Sequence, residues 1–416
     1  MYHTKNYEIK STDDVELGIK RDSLLEFKVS YDDEKPMKAL LFFISGIRGA
    51  DYASYEEHLA EFAVKEFEVA VVRVDYHCIG FRPQTGATLY MDKRDKEIFI
   101  EVCQELERLF GASIGIGEML LSKKNLNQSE TYEVCNSINF IIETLKKQGR
   151  APSTFFVPIS VSLQPTKNEY NNFGVMQALD ILNALCYIKA NPPFTLAKDY
   201  KTLLFGTSHG GYLSLLAAKF APWLIDAVVE NSGYANAPFR MLGFGKHINW
   251  RNIGEATTKV NENIAFVYST KTHFDRDENS PNCYTDAHDK IRSLPEIEHL
   301  QIQSAHHKPI YVSYHSAKDL NIALPEPKQR LYKMLEKLGF EATLHMIKDE
   351  SEVDGKFIKN LEHGMDMSLK TLIQKELPPL LARKFTQDKN EKREIIYPSE
   401  NLEYHFKESA RGGGFH

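Results

Sequence analysis

Short apolar runs alternate with stretches of helical periodicity along much of this 416-residue chain. Residues 39–44 (ALLFFI) and 69–74 (VAVVRV) are two such runs, and residues 52–65 between them have the spacing of an amphipathic helix. A run that is apolar throughout is typical of a strand that is buried on both faces of a parallel sheet. This order of strand, helix and strand predicts a βαβ unit with a right-handed crossover.

The same alternation returns further along the chain. Helical spacing at 173–190 precedes the apolar run 203–205, and another run follows at 225–230. Near the end, runs at 309–314 and 341–347 flank a further helical stretch. We therefore predict an α/β protein with a mostly parallel central sheet and helices on both of its faces.

Three segments depart from this alternation. Residues 91–170 contain two helical stretches joined by a loop rich in Gly, Ser and Asn, which predicts an inserted subdomain. Residues 235–307 are polar and irregular, and we interpret them as a cap-like insertion. The charged tail, 388–416, ends in RGGGFH, and we predict that its last residues are mobile. The sequence thus predicts one domain over 1–416 that carries two insertions.

Composition and charge narrow the class of protein. A net charge of −6, without a run rich in Lys and Arg, argues against nucleic acid as a partner. The five cysteines are odd in number, scattered and without a C-x-x-C pair, which favours reduced thiols. The N-terminus lacks the pattern of a signal peptide, and no apolar run approaches the length of a membrane span. We expect a soluble, cytoplasmic protein.

The candidate chemistry centres on residues 206–211, which read GTSHGG. An apolar run precedes this segment and helical spacing follows it, and a strand that passes through G-x-S-x-G into a helix is typical of a nucleophile elbow. A turn this tight forces the serine into an unfavourable backbone conformation, while the glycines allow neighbouring backbone to approach. We therefore predict that Ser208 is a nucleophile at the N-terminus of a helix, whose dipole favours negative charge there.

At these residues the chain resembles the alpha/beta-hydrolase superfamily, and GTSHGG is similar to the elbows of its esterase and prolyl-oligopeptidase-like members. The resemblance implies an alpha/beta-hydrolase fold over residues 27–384, and an oxyanion hole formed by two backbone N–H groups. One would come from His209 and the other from residues 45–49 (SGIRG), the loop after the first strand of the βαβ unit. Many members have His-Gly in this loop; here the His is absent, so Ile47 and Arg48 both stay open as the donor.

The resemblance also implies where the acid and the base lie, because the superfamily places them after the last strands in the order serine, acid, histidine. Residues 315–319 (HSAKD) follow the run 309–314 and resemble the H-G-x-x-D segment of esterase-like members. This similarity selects Asp319 as the acid. Glu326 and Asp289 are the alternatives.

The predicted base is His363, which follows the final strand. It precedes a glycine, so the pair resembles the H-G motif that closes many of these hydrolases. His345 is the alternative, but it lies within the strand pattern. A serine hydroxyl needs such a base to take its proton, and the acid fixes the tautomer of that base.

These residues predict a serine hydrolase, a carboxylesterase or deacetylase, that acts on a small-molecule acyl ester through an acyl-enzyme. A narrower resemblance, to an uncharacterised hydrolase-like family of Campylobacter-type flagellin-glycosylation loci, implies a carbohydrate-linked ester such as an acylated sugar. Two alternatives stay open: an acyltransferase that uses the same triad, and a non-catalytic binding protein that retains the fold.

We predict neither a cofactor nor a metal. The segment 235–307 is rich in histidine, but no H-x-x-x-H or H-E-x-x-H pattern there pairs with a nearby carboxylate. The sequence does not indicate an oligomeric state.

Overall fold

A computed structural model describes residues 1–47, 53–79, 87–111, 122–164, 167–237, 251, 257–270, 272–385, 391–409 and 414–416. The chain forms two compact units. The first consists of Met1–Phe81, Asn172–Pro238 and Tyr284–His416, and the second of Arg82–Asn171 and Phe239–Cys283.

The strands and helices of the described residues follow in chain order. The strands are β1 (Tyr2–Ile9), β2 (Leu25–Asp32), β3 (Met37–Ile44), β4 (Ala70–Asp75), β5 (Thr88–Tyr90), β6 (Val157–Gln164), β7 (Leu196–Thr207), β8 (Ala227–Asn231), β9 (Thr257–Lys259), β10 (Ile264–Thr270), β11 (Ile310–Ser316), β12 (Ala342–Ile347), β13 (Glu394–Ser399) and β14 (Leu402–Lys407). The α-helices are α1 (Ala53–Phe67), α2 (Lys93–Phe110), α3 (Gln128–Lys147), α4 (Val175–Ala190), α5 (His209–Phe220), α6 (Asp286–Arg292), α7 (Ile297–Ser304), α8 (Pro325–Lys337) and α9 (Leu369–Ala382).

The first unit is built on an eight-stranded sheet in the order β1-β2-β4-β3-β7-β8-β11-β12. The strands β1 and β2, and likewise β2 and β4, pair antiparallel, while every pairing from β4 to β12 is parallel. An elbow at the end of the fifth strand of such a sheet is the arrangement of the alpha/beta-hydrolase fold. The predicted fold class is therefore confirmed.

Helices cover both faces of this sheet. On one face, α1 and α9 share an apolar cluster with alternate residues of the central strands, among them Leu41 and Phe43 of β3 and Leu203 and Phe205 of β7. The helices α4 and α5 pack against each other and α5 packs on the sheet, but neither contributes to that cluster, so they cover the opposite face. Burial on both faces explains why the central strands are apolar throughout.

The second unit has its own four-stranded sheet, in the order β5-β6-β10-β9. Its two inner strands, β6 and β10, pair parallel although they come from the two different segments predicted as insertions. Neither strand was expected from the sequence. In β6 the buried hydroxyls of Ser160 and Ser162 donate to Asp95 of α2 at 3.0 and 2.6 Å, so polar residues occupy interior positions. Residues 284–307 of the predicted cap belong instead to the first unit and form α6 and α7.

The charged tail also differs from expectation. The strands β13 and β14 form an antiparallel hairpin, and the side chain of Phe415 is buried. The backbone N–H of Phe415 donates to Asn183 Oδ1 of α4 at 2.7 Å. The prediction that the last residues are mobile is therefore wrong for 414–416, because an apolar side chain and a backbone hydrogen bond hold them.

Two further expectations concern the thiols and the membrane. All five cysteines are free, and four of them are buried. Among the helices of the described ranges, none is both long enough and apolar enough to cross a membrane.

Candidate active site

Ser208 lies at the sharp turn between β7 and α5, in a backbone conformation that non-glycine residues rarely adopt. Its φ is 53° and its ψ is −121°. Such a conformation costs of the order of 1–3 kcal/mol and persists only where the surroundings hold it. Here the backbone N–H of Ser208 donates to the carbonyl of Asn231 in β8 at 2.8 Å, and its carbonyl accepts from the N–H of Tyr212. The side chain is thereby held above the end of the sheet.

Two glycines make this turn possible. A Cβ on Gly210 would overlap the carbonyl group of Ile44 and lie 2.5 Å from the carbonyl oxygen of Ser45. A Cβ on Gly206 would lie 2.5 Å from the hydroxyl of Ser214. These distances are far below van der Waals contact. The first turn of α5 can therefore lie against the end of β3 only if Gly210 lacks a side chain, and against the end of β7 only if Gly206 lacks one.

The three residues predicted as nucleophile, base and acid lie together at the carboxyl end of the sheet. The Oγ of Ser208 is 2.7 Å from Nε2 of His363, and Nδ1 of the same ring is 2.5 Å from Oδ2 of Asp319. A carboxylate can only accept, so the hydrogen-bond network assigns the ring proton to Nδ1 and leaves Nε2 to accept from the serine hydroxyl. The side chain of Asp319 is 1% exposed and that of His363 18% exposed.

Asp319 is held as an ionised acceptor. Burial alone would raise its pKa, but the hydrogen bond and charge of His363 outweigh that effect, together with the backbone N–H groups of Ala323 and Ile322. Those amides donate to Oδ1 at 3.1 and 3.2 Å, which leaves Oδ2 for the imidazole. The net result is a pKa below the ordinary value for an aspartate.

The loops that carry these side chains are joined by polar residues that the sequence analysis had not assigned. Asn231, at the end of β8, donates through Nδ2 to the carbonyl of Gly364 at 2.9 Å, in addition to its bond with the elbow. The hydroxyl of Ser232 accepts from the N–H of Gly364 at 3.1 Å, and that of Ser316 donates to Leu361. The only sequence signal for these residues is that polar side chains directly follow predicted strands.

Two of the three residues predicted as oxyanion donors, His209 and Ile47, lie within the described residues. His209 is the first residue of α5, and the first backbone N–H groups of a helix have no partner within that helix. Its side chain is fully buried and bonds Gln177 at 2.7 Å, and burial lowers its pKa to about 3. On the opposite loop, Ile47 is described, while Arg48 lies outside the described residues.

The loop before Ile47 is fixed beside Ser208. A Cβ on Gly46 would lie 3.9 Å from Ser208 Oγ, so this backbone passes close to the serine. The carbonyl of Ser45 accepts from the hydroxyl of Tyr76 at 3.0 Å, and the hydroxyl of Ser45 donates to Glu56 of α1. Burial raises the pKa of Glu56 to about 7, although the Ser45 hydrogen bond acts in the opposite direction.

The residues considered as alternatives for the acid and the base make other contacts. Asp289 lies in α6 beside the hydroxyl of Tyr284, and Glu326 lies in the first turn of α8. His345 lies in β12 and stacks on Tyr314 with ring centroids 4.4 Å apart. Within the described ranges, no group of three or more His, Cys, Asp or Glu side chains is placed to hold a metal ion.

The order of the strands and the elbow define the class of this protein as one with the alpha/beta-hydrolase fold. Within that class, the chain belongs to a family described as proteins of unknown function, DUF2920, whose model matches residues 5–411. No curated protein sequence matches the chain.

Several solved structures are similar to the chain at low identity. One of two fungal esterases from Rhizomucor miehei is 12% identical, with a TM-score of 0.42 and coverage of 92% of this chain and 85% of the esterase. An esterase of Pyrococcus furiosus is 12% identical, with a TM-score of 0.38 and coverage of 84% of each chain. An acylaminoacyl peptidase is 12% identical, with a TM-score of 0.38 and coverage of 93% of this chain. The match covers 42% of that peptidase, so the chain spans less than half of its length.

The contact between Gly210 and β3 predicts a large loss of stability on adding a single methyl group. Gly210→Ala should lower the free energy of unfolding by about 3 kcal/mol or more, because the Cβ would displace the backbone of Ile44. Gly46→Ala is the control: its Cβ would make only ordinary contacts, the nearest at 3.5 Å, and should cost less than about 1 kcal/mol. Urea denaturation of both variants checks this, and equal losses would contradict the close approach.

The raised pKa of Glu56 predicts a pH-dependent stability. Ionisation of this carboxyl costs more in the folded than in the unfolded chain, so the fold should lose stability as the pH rises from 4.5 to about 7. Glu56→Gln cannot ionise, and it should become more stable than the wild type across that window, by up to about 3 kcal/mol above pH 7. Denaturation at pH 5 and pH 8 measures the difference. Glu57→Gln, on the exposed side of the same helix, should show no comparable gain.

Proposed function

We propose that this protein is a serine hydrolase that acts on an ester bond, with Ser208 as nucleophile, His363 as general base and Asp319 as the acid that orients it. The observation that carries the proposal is the continuous hydrogen-bond chain from Ser208 Oγ through His363 to Asp319, with links of 2.7 and 2.5 Å. The strained backbone of Ser208 supports it, because strain of this kind occurs where a nucleophile must be held away from the sheet.

The arrangement suits acyl transfer through a covalent intermediate. Ser208 Oγ attacks the ester carbonyl carbon as its proton passes to Nε2 of His363, and Asp319 stabilises the resulting imidazolium. The oxyanion accepts hydrogen bonds from the backbone N–H of His209 and from an amide of the loop around Ile47. Collapse breaks the bond to the alcohol, which leaves with the proton from Nε2. Water then repeats these steps on acyl-Ser208; an acyltransferase would differ only in the acceptor.

Fluorophosphonate labelling and turnover of p-nitrophenyl acetate test the proposal. We expect the wild type to be labelled and Ser208→Ala to lose both labelling and turnover, because the attacking oxygen is gone. Asp319→Asn should keep the fold but lower kcat about 10⁴-fold, because the amide favours the wrong imidazole tautomer.

Two matched controls accompany these variants. Ser304→Ala removes a hydroxyl whose partner is the carbonyl of Gln301 in α7, and Asp366→Asn changes an exposed carboxyl three residues after His363. Both should keep labelling and turnover. A folded wild type that is not labelled, or a Ser208→Ala variant that still is, would overturn the proposal.

An O-acylated sugar is the finer substrate class that we propose for this hydrolase, and its support is the family resemblance described above. Acetate release from an O-acetylated sialic acid should then exceed that from ethyl acetate, an unactivated alkyl ester, in kcat/KM, because the site would bind the leaving group as well. A coupled acetate assay measures both rates. Equal or lower rates on the sugar ester would exclude this class while leaving the serine hydrolase proposal intact.

A further inference from the structure

A cavity of about 40 Å³ opens where β3 and β7 end, on the sheet face that carries α1 and α9. Its walls are mainly apolar: Phe43, Leu59, Phe205, Leu369, Leu372 and Ile373. Pockets that bind small organic groups have this character, with a few polar atoms that fix the orientation of the ligand.

The residues that line the cavity include the chain neighbours of Ser208 and Gly46. Gly206 and Thr207 line it and directly precede Ser208, and Ser45 lines it from the loop that follows β3. The next residue of that loop is Gly46, whose added Cβ would lie 3.5 Å from the Cβ of Ser208 and 3.9 Å from its Oγ. A group bound covalently to Ser208 Oγ therefore begins within a few ångströms of the cavity walls.

Polarity changes along the depth of the cavity. Ser45 and Thr207, at the ends of their strands, and Glu56, in the first turn of α1, are the polar lining residues. Two residues further back along the same strands, the lining consists of Phe43 and Phe205. The rise of a strand, about 3.3 Å per residue, puts these rings about 7 Å below the polar level, which is the reach of a few carbon atoms.

We propose that this cavity is the acyl subsite of the enzyme and that it holds a short, uncharged aliphatic acyl chain while the chain is esterified to Ser208. The proposal rests on the serine hydrolase function proposed above. The carbonyl of the acyl group lies at the polar end, beside the loop of Ser45 and Gly46, and its methylene groups lie among the apolar side chains of α1, α9 and the two strands. An anionic acyl group is excluded, because the apolar end offers no partner for a charge.

The chain-length dependence of turnover tests this subsite. In a series of p-nitrophenyl esters from acetate to decanoate, kcat/KM of the wild type should rise about fourfold for each methylene that is buried. It should reach a maximum near propanoate or butanoate and then fall, because a longer chain exceeds the volume of the cavity.

Two substitutions in the lining should move this maximum in opposite directions. Leu372→Ala deepens the cavity and should shift the maximum by two or more carbon atoms towards longer chains. Ile373→Phe fills the cavity and should make acetate the best substrate, with at least a tenfold loss on butanoate. Leu377→Ala is the matched control, since Leu377 is equally buried in α9 but does not line the cavity. It should lose similar stability and keep the wild-type profile.

The outcomes separate this inference from the function on which it rests. One outcome is that the variants at Leu372 and Ile373 hydrolyse the acetate ester and yet keep the wild-type chain-length profile. In that case the cavity is a packing gap, the acyl-subsite proposal is wrong, and the serine hydrolase proposal is unaffected. If the wild type is neither labelled by a fluorophosphonate nor active on acetate, both fall. Should Leu372→Ala fail to fold, Leu372→Val against Leu377→Val makes the same comparison with a smaller change in volume.

Discussion

The close approach of the first turn of α5 to the end of β3 is the contact on which the rest of the site depends. Because Gly210 has no side chain, the helix begins directly against the carbonyl of Ile44. This approach places the backbone of Gly46 beside Ser208, so one contact determines both the position of Ser208 and the position of the loop opposite it. The unfavourable backbone of Ser208 is held by that packing and by the hydrogen bond from its N–H to β8.

The strand β8 links the position of Ser208 to that of His363. It lies between β7 and β11 in the sheet, so its carboxyl end is next to the elbow on one side and next to the loop of Asp319 on the other. Asn231 uses its backbone carbonyl for the elbow and its side chain for the loop of His363, and Ser232 bonds the same loop. The parallel order of the strands thus brings three loops together, and a few short polar side chains fix the distances between them.

The parts of this site that could be predicted from the sequence are those with local causes. The elbow is a turn between a strand and a helix that needs glycines at fixed positions. The loops of Asp319 and His363 were selected by the resemblance to the superfamily, whose acid and histidine follow the last strands. The strand β6 escaped prediction because Ser160 and Ser162 make it look polar, whereas their hydroxyls are satisfied by Asp95 of α2. Its neighbour β10 comes from a distant segment of the chain, and the hydrophobic pattern of a single segment does not indicate which distant strand it pairs with. Glu56 and Asn231 were missed for the same reason, since their partners lie on other elements.

Burial divides the histidines near the candidate nucleophile into two kinds. His209 and His315 are fully buried, and burial lowers their pKa values to about 3 and about 4 respectively. Both stay neutral at physiological pH and act as hydrogen-bonding supports, His209 through Gln177 and His315 through the carbonyl of Ala323. His363 differs because it is partly exposed and is paired with the ionised carboxylate of Asp319. A histidine that accepts a proton from serine becomes a cation, and a neighbouring carboxylate stabilises that charge. Of these three histidines, His363 is the one with a carboxylate at hydrogen-bonding distance.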